Sequence, residues 1–405
     1  MHPSQHWKTY TTLSVLFLFV TTCAAFVSRL WVITAIPIGF LFGFFMQKGD
    51  LCGSSAFSEV ILMKDGRKAF GLWICIVVSM LGFALLDLLG LVRLSPKPML
   101  WVSYLVGGLL FGSGMVLAGG CVSGCLYKAA TGNLNSMAAL LAMPFGMAMA
   151  EYGPLRELST RMAAVVTKGP DGGVLSLPAV TGIPYWALAV FLAAGTLASV
   201  GLWSRKAAKR KFAPPDEPVL RRVLTRSWKP WQAGLAIGLL ASFAYLSSAA
   251  TGRNYPLGVT HGVLAAYVLI TDQDVSHVYQ KAPQLQSAAT ATGQANPANP
   301  TPRKKVTWWL VLLVTFYMAG AFVSGKLSGE ARLLPKPPEQ TLVAIVGGFL
   351  VGAGAVFATG CVIGNILSGW ALMSLGMVLF GVVTVLSNWA ATYIYLMGGS
   401  LFSRG

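Results

Sequence analysis

Acidic residues are scarce in this sequence: Asp and Glu number 13 in 405 residues, against 30 Lys and Arg. Charged residues of both signs make up 11% of the chain, where a soluble domain carries about 25%. No polar stretch is long enough to build a soluble domain of useful size. Histidine is rarer still, with four scattered copies (His2, His6, His261 and His277). The only close cysteine pair is Cys121-x-x-x-Cys125, so no metal-ligand set is spelled out and no metal is expected. A CxxC pair is missing, as is any cofactor motif, which argues against a redox enzyme; no cofactor is expected. No GxxxxGK[ST] stretch occurs, so nucleotide hydrolysis on a P-loop is not expected of this chain. The N-terminal apolar run lacks a small-x-small cleavage site before polar sequence. It reads as a retained first helix over 10–27.

What the chain does contain is hydrocarbon: 55% hydrophobic residues and a mean hydropathy of +0.66. Apolar runs of bilayer length recur from end to end, which defines an all-α polytopic membrane protein. The net charge of +17 does not indicate nucleic acid, because nine of the basic residues crowd into 204–230, between two apolar runs. That is the positive-inside pattern, and it places this linker in the cytoplasm, beside the lipid bilayer. The stretch 279–305, rich in Ala, Thr, Gln, Asn and Pro, reads as a flexible loop.

The six cysteines, Cys23, Cys52, Cys75, Cys121, Cys125 and Cys361, lie in or beside apolar runs, so free thiols are expected rather than a disulfide framework. Two of them close a repeated sentence. "VGGLLFGSGMVLAGGCVSG" (Val106–Gly124) and "VGGFLVGAGAVFATGCVIG" (Val346–Gly364) agree at twelve of nineteen positions. Each follows a basic-proline turn, "VRLSPKP" or "ARLLPKP". The chain is therefore read as a single transmembrane domain, 1–405, with repeat one over about 30–150 and repeat two over about 231–400. Duplicated halves with interrupted helices point to inverted repeats whose half-helices meet near the bilayer midplane. Gly108-x-x-x-Gly112 and Gly348-x-x-x-Gly352 also read as plain helix-packing motifs. The Gly-Cys ends read as pathway lining.

A third break falls within "GFLFGFFMQKGDLCGSSAFSEV" (Gly39–Val60), where one helix ends at Lys48-Gly49 and another begins near Cys52. Its counterpart is "NYPLGVTHGVL" (Asn254–Leu264), which has lost the cysteine. Cys52, Cys121 and Cys361 thus sit at helix breaks. Cys23 and Cys75 lie within continuous helices and read as core filler. Cys125 could share the face of Cys121, but the second repeat has Asn365 there. A thiol kept neutral by apolar surroundings is a soft, weak donor beside the positive end of a helix. Such a site suits a polarisable anion that must also leave. Gly120, Gly124, Gly360 and Gly364 are expected to free backbone N–H groups and let helix ends approach. Lys48, Arg93, Lys97, Arg332 and Lys336 are candidates for drawing anions to the mouths, the last four being equally readable as solvated turn charges.

The pattern "GFxxGxxxQKGxLCGSSAF", the doubled "GxGxxxAxGC" and the basic-proline turns resemble the YeeE/YedE family of bacterial inner-membrane proteins. The resemblance covers roughly 35–400. It implies an hourglass of two pseudo-symmetric halves and uptake of thiosulfate or a related sulfur compound. It further implies that Cys52, Cys121 and Cys361 pass the anion along by S–H hydrogen bonds, and that a cytoplasmic TusA-type sulfur-carrier protein receives the product. Lys48 stands where relatives often carry Arg, so a bidentate contact is not expected there. Three other readings compete with uptake: a membrane thiol–disulfide enzyme, a transporter of another sulfur or selenium species, and a scaffold for a sulfurtransferase.

Overall fold

Helices stop and start where apolar runs meet glycine, proline and charge. The computed structural model describes residues 7–169, 172–206, 219–272, 275–279 and 304–397. The expected loop over 279–305 and linker over 204–230 lie outside the described residues at 280–303 and 207–218. In chain order the elements are α1 (Trp7–Ser28), α2 (Ala35–Gly49), α3 (Gly53–Leu62), α4 (Arg67–Leu88), α5 (Trp101–Leu117) and α6 (Val122–Ala130). Next come α7 (Leu134–Glu151), α8 (Arg156–Ala164), α9 (Leu177–Thr181), α10 (Tyr185–Lys206), α11 (Val219–Thr225), α12 (Pro230–Ala250) and α13 (Thr260–Thr271). Two strands follow, β1 (Val275–Val278) and β2 (Lys304–Thr307), then α14 (Trp308–Ser328) and α15 (Pro338–Phe357). A π-helical turn, Val362–Leu367, leads into α16 (Ser368–Ala371), and α17 is Leu375–Thr392. Among the described residues eight helical stretches are long and apolar enough to cross a membrane, so this is a multi-pass membrane protein. The parallel pairing of β1 with β2, a ribbon of four residues each, is an exception to the all-helical expectation.

Local chemistry explains the boundaries that matter for the site. α2 stops because Asp50 turns left-handed (φ 45°, ψ 43°) and returns its N–H to Gln47 and Met46. α12 begins on a proline at its first position, where the missing N–H has no helical partner to lose. Asn133 caps α7 by accepting from the Ser136 N–H at 3.2 Å.

Helix packing exchanges partners between the halves. α2 packs on α14 and α12 on α4, while α7 packs on α15 and α17 on α5. The repeat mates α5 and α15 also touch and run antiparallel, with Gly107 against Ala358 and Gly114 against Val351. α2 and α12 are antiparallel too. Thr34 meets Ser247 at one end, and the Trp228 N–H donates to the Lys48 carbonyl at the other.

No hydrophobic force drives helices together in lipid, so backbone contact must supply the attraction. A Cβ on Gly352 would lie 2.1 Å from the Met143 carbonyl oxygen, and one on Gly112 would lie 2.5 Å from that of Thr384. Only glycine allows these contacts, so the two GxxxG motifs do act in packing. α1 stands apart, with Ala25 its only buried residue. Cys23 is therefore exposed on α1 instead of filling a core, because that helix touches the body along a narrow strip. Cys75 is buried in α4 and packs beside α12 at Gly238, as expected.

Candidate functional site

Each of the three break cysteines occupies the same local position. Cys52 precedes α3, Cys121 precedes α6, and Cys361 precedes the π-helical turn, all in extended backbone. None uses its side chain to cap the helix it begins. The first N–H groups of each short helix lack an acceptor within it, so each thiol stands beside a positive helix end. All three are free and fully buried. At the fourth break Val259 takes the cap position of α13, one residue after the Gly258 that aligns with Cys52.

The turns before Cys121 and Cys361 are built alike. Gly120 donates its N–H to the Met115 carbonyl, and Gly360 donates to that of Ala355. These two glycines close the preceding helix, so their N–H groups are used and not freed. Gly119 and Thr359 both take left-handed backbone, at φ +69° and +57°. A β-branched residue pays strain there that glycine does not.

Cys125 and Asn365 prove to be structural equivalents. Cys125 Sγ donates to the Ala118 and Gly120 carbonyls at 3.8 and 3.5 Å, and Asn365 Nδ2 donates to Ala358 and Gly360 at 2.7 and 3.1 Å. Cys125 thus fastens the turn from behind. Asn365→Ala, which strands two buried carbonyls, is expected to lower stability by about 2 kcal/mol, and Cys125→Ala by less than ~1 kcal/mol. Thermal melting of the purified variants measures the difference, and equal losses would refute the assignment.

The helix ends converge on Gly124. A Cβ there would lie 2.4 Å from Cys52 Sγ and 3.5 Å from Cys121 Sγ, so both sulfurs border the space its side chain would fill. At the equivalent Gly364 an added Cβ meets nothing within 4 Å. Gly53, next to Cys52, packs on Val362, next to Cys361. Cys361 lies within electrostatic reach of Cys121. Cys121 Sγ is also 3.3 Å from the Ser123 hydroxyl. Two tyrosines brace the junctions, the buried Tyr317 donating to the Ser123 carbonyl at 2.9 Å and the half-buried Tyr255 to that of Gly364 at 2.6 Å.

On the Cys361 side opens a cavity of ≈ 720 Å³, reached by Lys97, Arg253, Tyr255, Thr260, His261 and Gly360. Lys97 Nζ donates to the Thr359 carbonyl at 2.5 Å and to Asn365 Oδ1 at 2.9 Å, holding the strained turn. Arg253 Nη1 donates to the Tyr255 and Pro256 carbonyls, and its guanidinium lies over the Trp309 ring. Thr260 Oγ1, at the start of α13, is buried without a hydrogen-bond partner. Arg156, Lys304 and Lys305 add positive charge to the lining, and Glu151 is the one acidic residue of the lining among the described residues.

The opposite end, beside Trp228 and the basic linker, carries paired charges. Lys68 bridges Asp50 and Glu59, and Tyr127 donates to Asp50 Oδ1. Lys48 is buried and donates to Ser328 Oγ at 2.7 Å. Burial pushes the nearby Glu330 carboxyl up, while Lys48 pulls it the other way. Lys128 is the cation within electrostatic reach of Cys52, Cys125 and Cys121, and it donates to the Gly119 carbonyl.

Of the four turn cations, Lys97 is turned inward and Arg93, Arg332 and Lys336 are exposed. Arg253, Thr260 and Lys128 escaped the sequence reading. The signal for Arg253 was its place just ahead of the fourth break, in "GRNYPLG".

The chain is similar to known proteins over nearly its whole length. A thiosulfate transporter, TsuA, of Spirochaeta thermophila is 30% identical over 89% of this chain and 98% of its own length. TsuA of Escherichia coli is 28% identical over 90% of this chain and 94% of its own. The probable transporter YedE of Escherichia coli is 29% identical over 35% of this chain. A family model described as sulphur transport matches residues 48–390, so the chain belongs to the sulphur-transport (YeeE/YedE) family.

Proposed function

We propose that this protein imports thiosulfate, or a close chemical relative, across the bacterial inner membrane. The anion enters the cavity beside Lys97 and Arg253, passes Cys361, then Cys121, then Cys52, and leaves near Lys128 on the basic-linker side. Each thiol acts as an S–H donor that is too weak to trap a dianion, as conduction through successive sites requires. Convergence of Cys52 and Cys121 on the side-chain space missing from Gly124 is the observation that carries this reading. The exchanged, antiparallel packing of repeat mates supports two inverted halves. A TusA-type carrier collecting the product at the linker face fits the same direction. Buried free thiols, outside any CxxC pair, favour passage over thiol–disulfide catalysis.

Uptake of radiolabelled thiosulfate into vesicles holding the purified protein tests the reading. Saturable uptake, competed by thiosulfate and indifferent to acetate, is expected; no uptake above empty vesicles would sink it. Lys97→Met removes a charge from the cavity and a clamp from the Thr359 turn. Uptake at low thiosulfate is expected to fall about tenfold, with partial recovery in Lys97→Arg. Arg332→Gln, on an exposed turn, should change it little.

A further inference from the structure

A second site lies on the linker side, away from the cysteines. α1, α2 and α11 enclose a groove of ≈ 290 Å³ lined by Val15, Leu18, Phe40, Phe44, Leu224 and Trp228, among others. Its only hydroxyls, Thr11 and Ser14, already donate to backbone carbonyls within α1, so the lining is hydrocarbon in character. α1 lies outside the stretch matched by the family model, and its outer face is exposed at Leu16, Phe19 and Val20. The groove therefore opens between helices that meet the bilayer, where acyl chains are the available apolar solvent.

Charge sits on the helix that closes it. α11 carries Arg221 one helical turn from Leu224, so the guanidinium shares a face with a groove residue. Arg221 Nε is buried with no hydrogen-bond partner. Leaving a charged N–H unpaired away from water is costly, and a phosphate diester oxygen is the acceptor that fits it. Arg222 and Lys229 are exposed on the same short segment. Trp228 stacks on Phe45 at 5.5 Å and donates to the Val223 carbonyl, an interfacial anchor that ties α11 to α2.

We propose that this groove is a binding site for one anionic phospholipid of the linker-side leaflet, an acyl chain lying between α1 and α2 and the phosphate held by Arg221 and Arg222. Basic pockets between membrane helices on the cytoplasmic side take such head groups. The site is independent of the thiosulfate pathway.

Native mass spectrometry of the full chain, titrated with phosphatidylglycerol or phosphatidylcholine of the same acyl chains, tests it. One phosphatidylglycerol is expected to be retained in preference to phosphatidylcholine. Arg221→Gln with Arg222→Gln is expected to weaken that preference about fivefold for each charge removed. Arg161→Gln, elsewhere on the surface, should leave it unchanged. Val15→Trp, which fills the groove, is expected to exclude the lipid; should that variant fail to fold, the arginine pair decides alone. Equal retention of both lipids, unaltered by the arginine changes, would show ordinary annular lipid and overturn the proposal. Displacement of the lipid by inorganic phosphate would also overturn it, by showing a free-phosphate site.

Discussion

Gly124→Ala is expected to abolish most thiosulfate uptake, while Gly364→Ala at the matching position of the second half leaves it close to normal. The new methyl at 124 would stand 2.4 Å from Cys52 Sγ, inside any permissible contact, whereas at 364 it enters open space. Overpacking of this kind costs about 1–3 kcal/mol, which translates into a loss of roughly five- to 150-fold if it falls on the passage itself. Vesicle uptake measures the function, and a melting curve for each variant shows that the fold has survived. Parallel effects at the two glycines would mean that passage does not run between Cys52 and Cys121. The pair is informative because both glycines stand three residues after the break cysteine and differ in what surrounds them.

Alanine at Cys52, Cys121 or Cys361 is expected to bring uptake to the level of empty vesicles, because successive weak sites fail when one is missing. Cys121 should be the least tolerant, since it borders the Gly124 space and lies within electrostatic reach of both other thiols. Serine in its place keeps a donor but loses polarisability, so a small residual activity is expected. Cys23→Ala should be silent because the residue is exposed on α1, and Cys75→Ala should cost some stability without loss of uptake. Full uptake by all three alanine variants would end the relay. Severe loss on removing Cys23 would show that α1 does more than line the rim of the bundle.

Helix breaks at Asp50–Cys52, Ala118–Cys121 and Ala358–Cys361 were visible as glycine and polar interruptions of apolar runs, and such signals act locally. The repeat aligns Cys125 with Asn365, but their shared role was hidden because a thiol and an amide look unlike as letters, although both donate to two turn carbonyls. Lys97 and Lys336 occupy the same place in matching turns. Packing sends one to Thr359 and Asn365 and leaves the other exposed. Arg253 holds its own turn through the nearby Tyr255 and Pro256 carbonyls, and only its contact with the Trp309 ring depends on a helix remote in the chain.

By itself the sequence determined the membrane class, the duplication, the positions of the helix breaks and the residues able to start each short helix. Hydropathy, glycine and proline act over a few residues, and bilayer thickness turns them into spans. Tertiary structure alone decided that Cys52 and Cys121 share the space at Gly124, that Lys97 clamps a turn more than 250 residues away, and that α1 leaves a groove beside Arg221. Those outcomes depend on which backbones can touch, and in lipid that is set by close packing of helices remote in the chain.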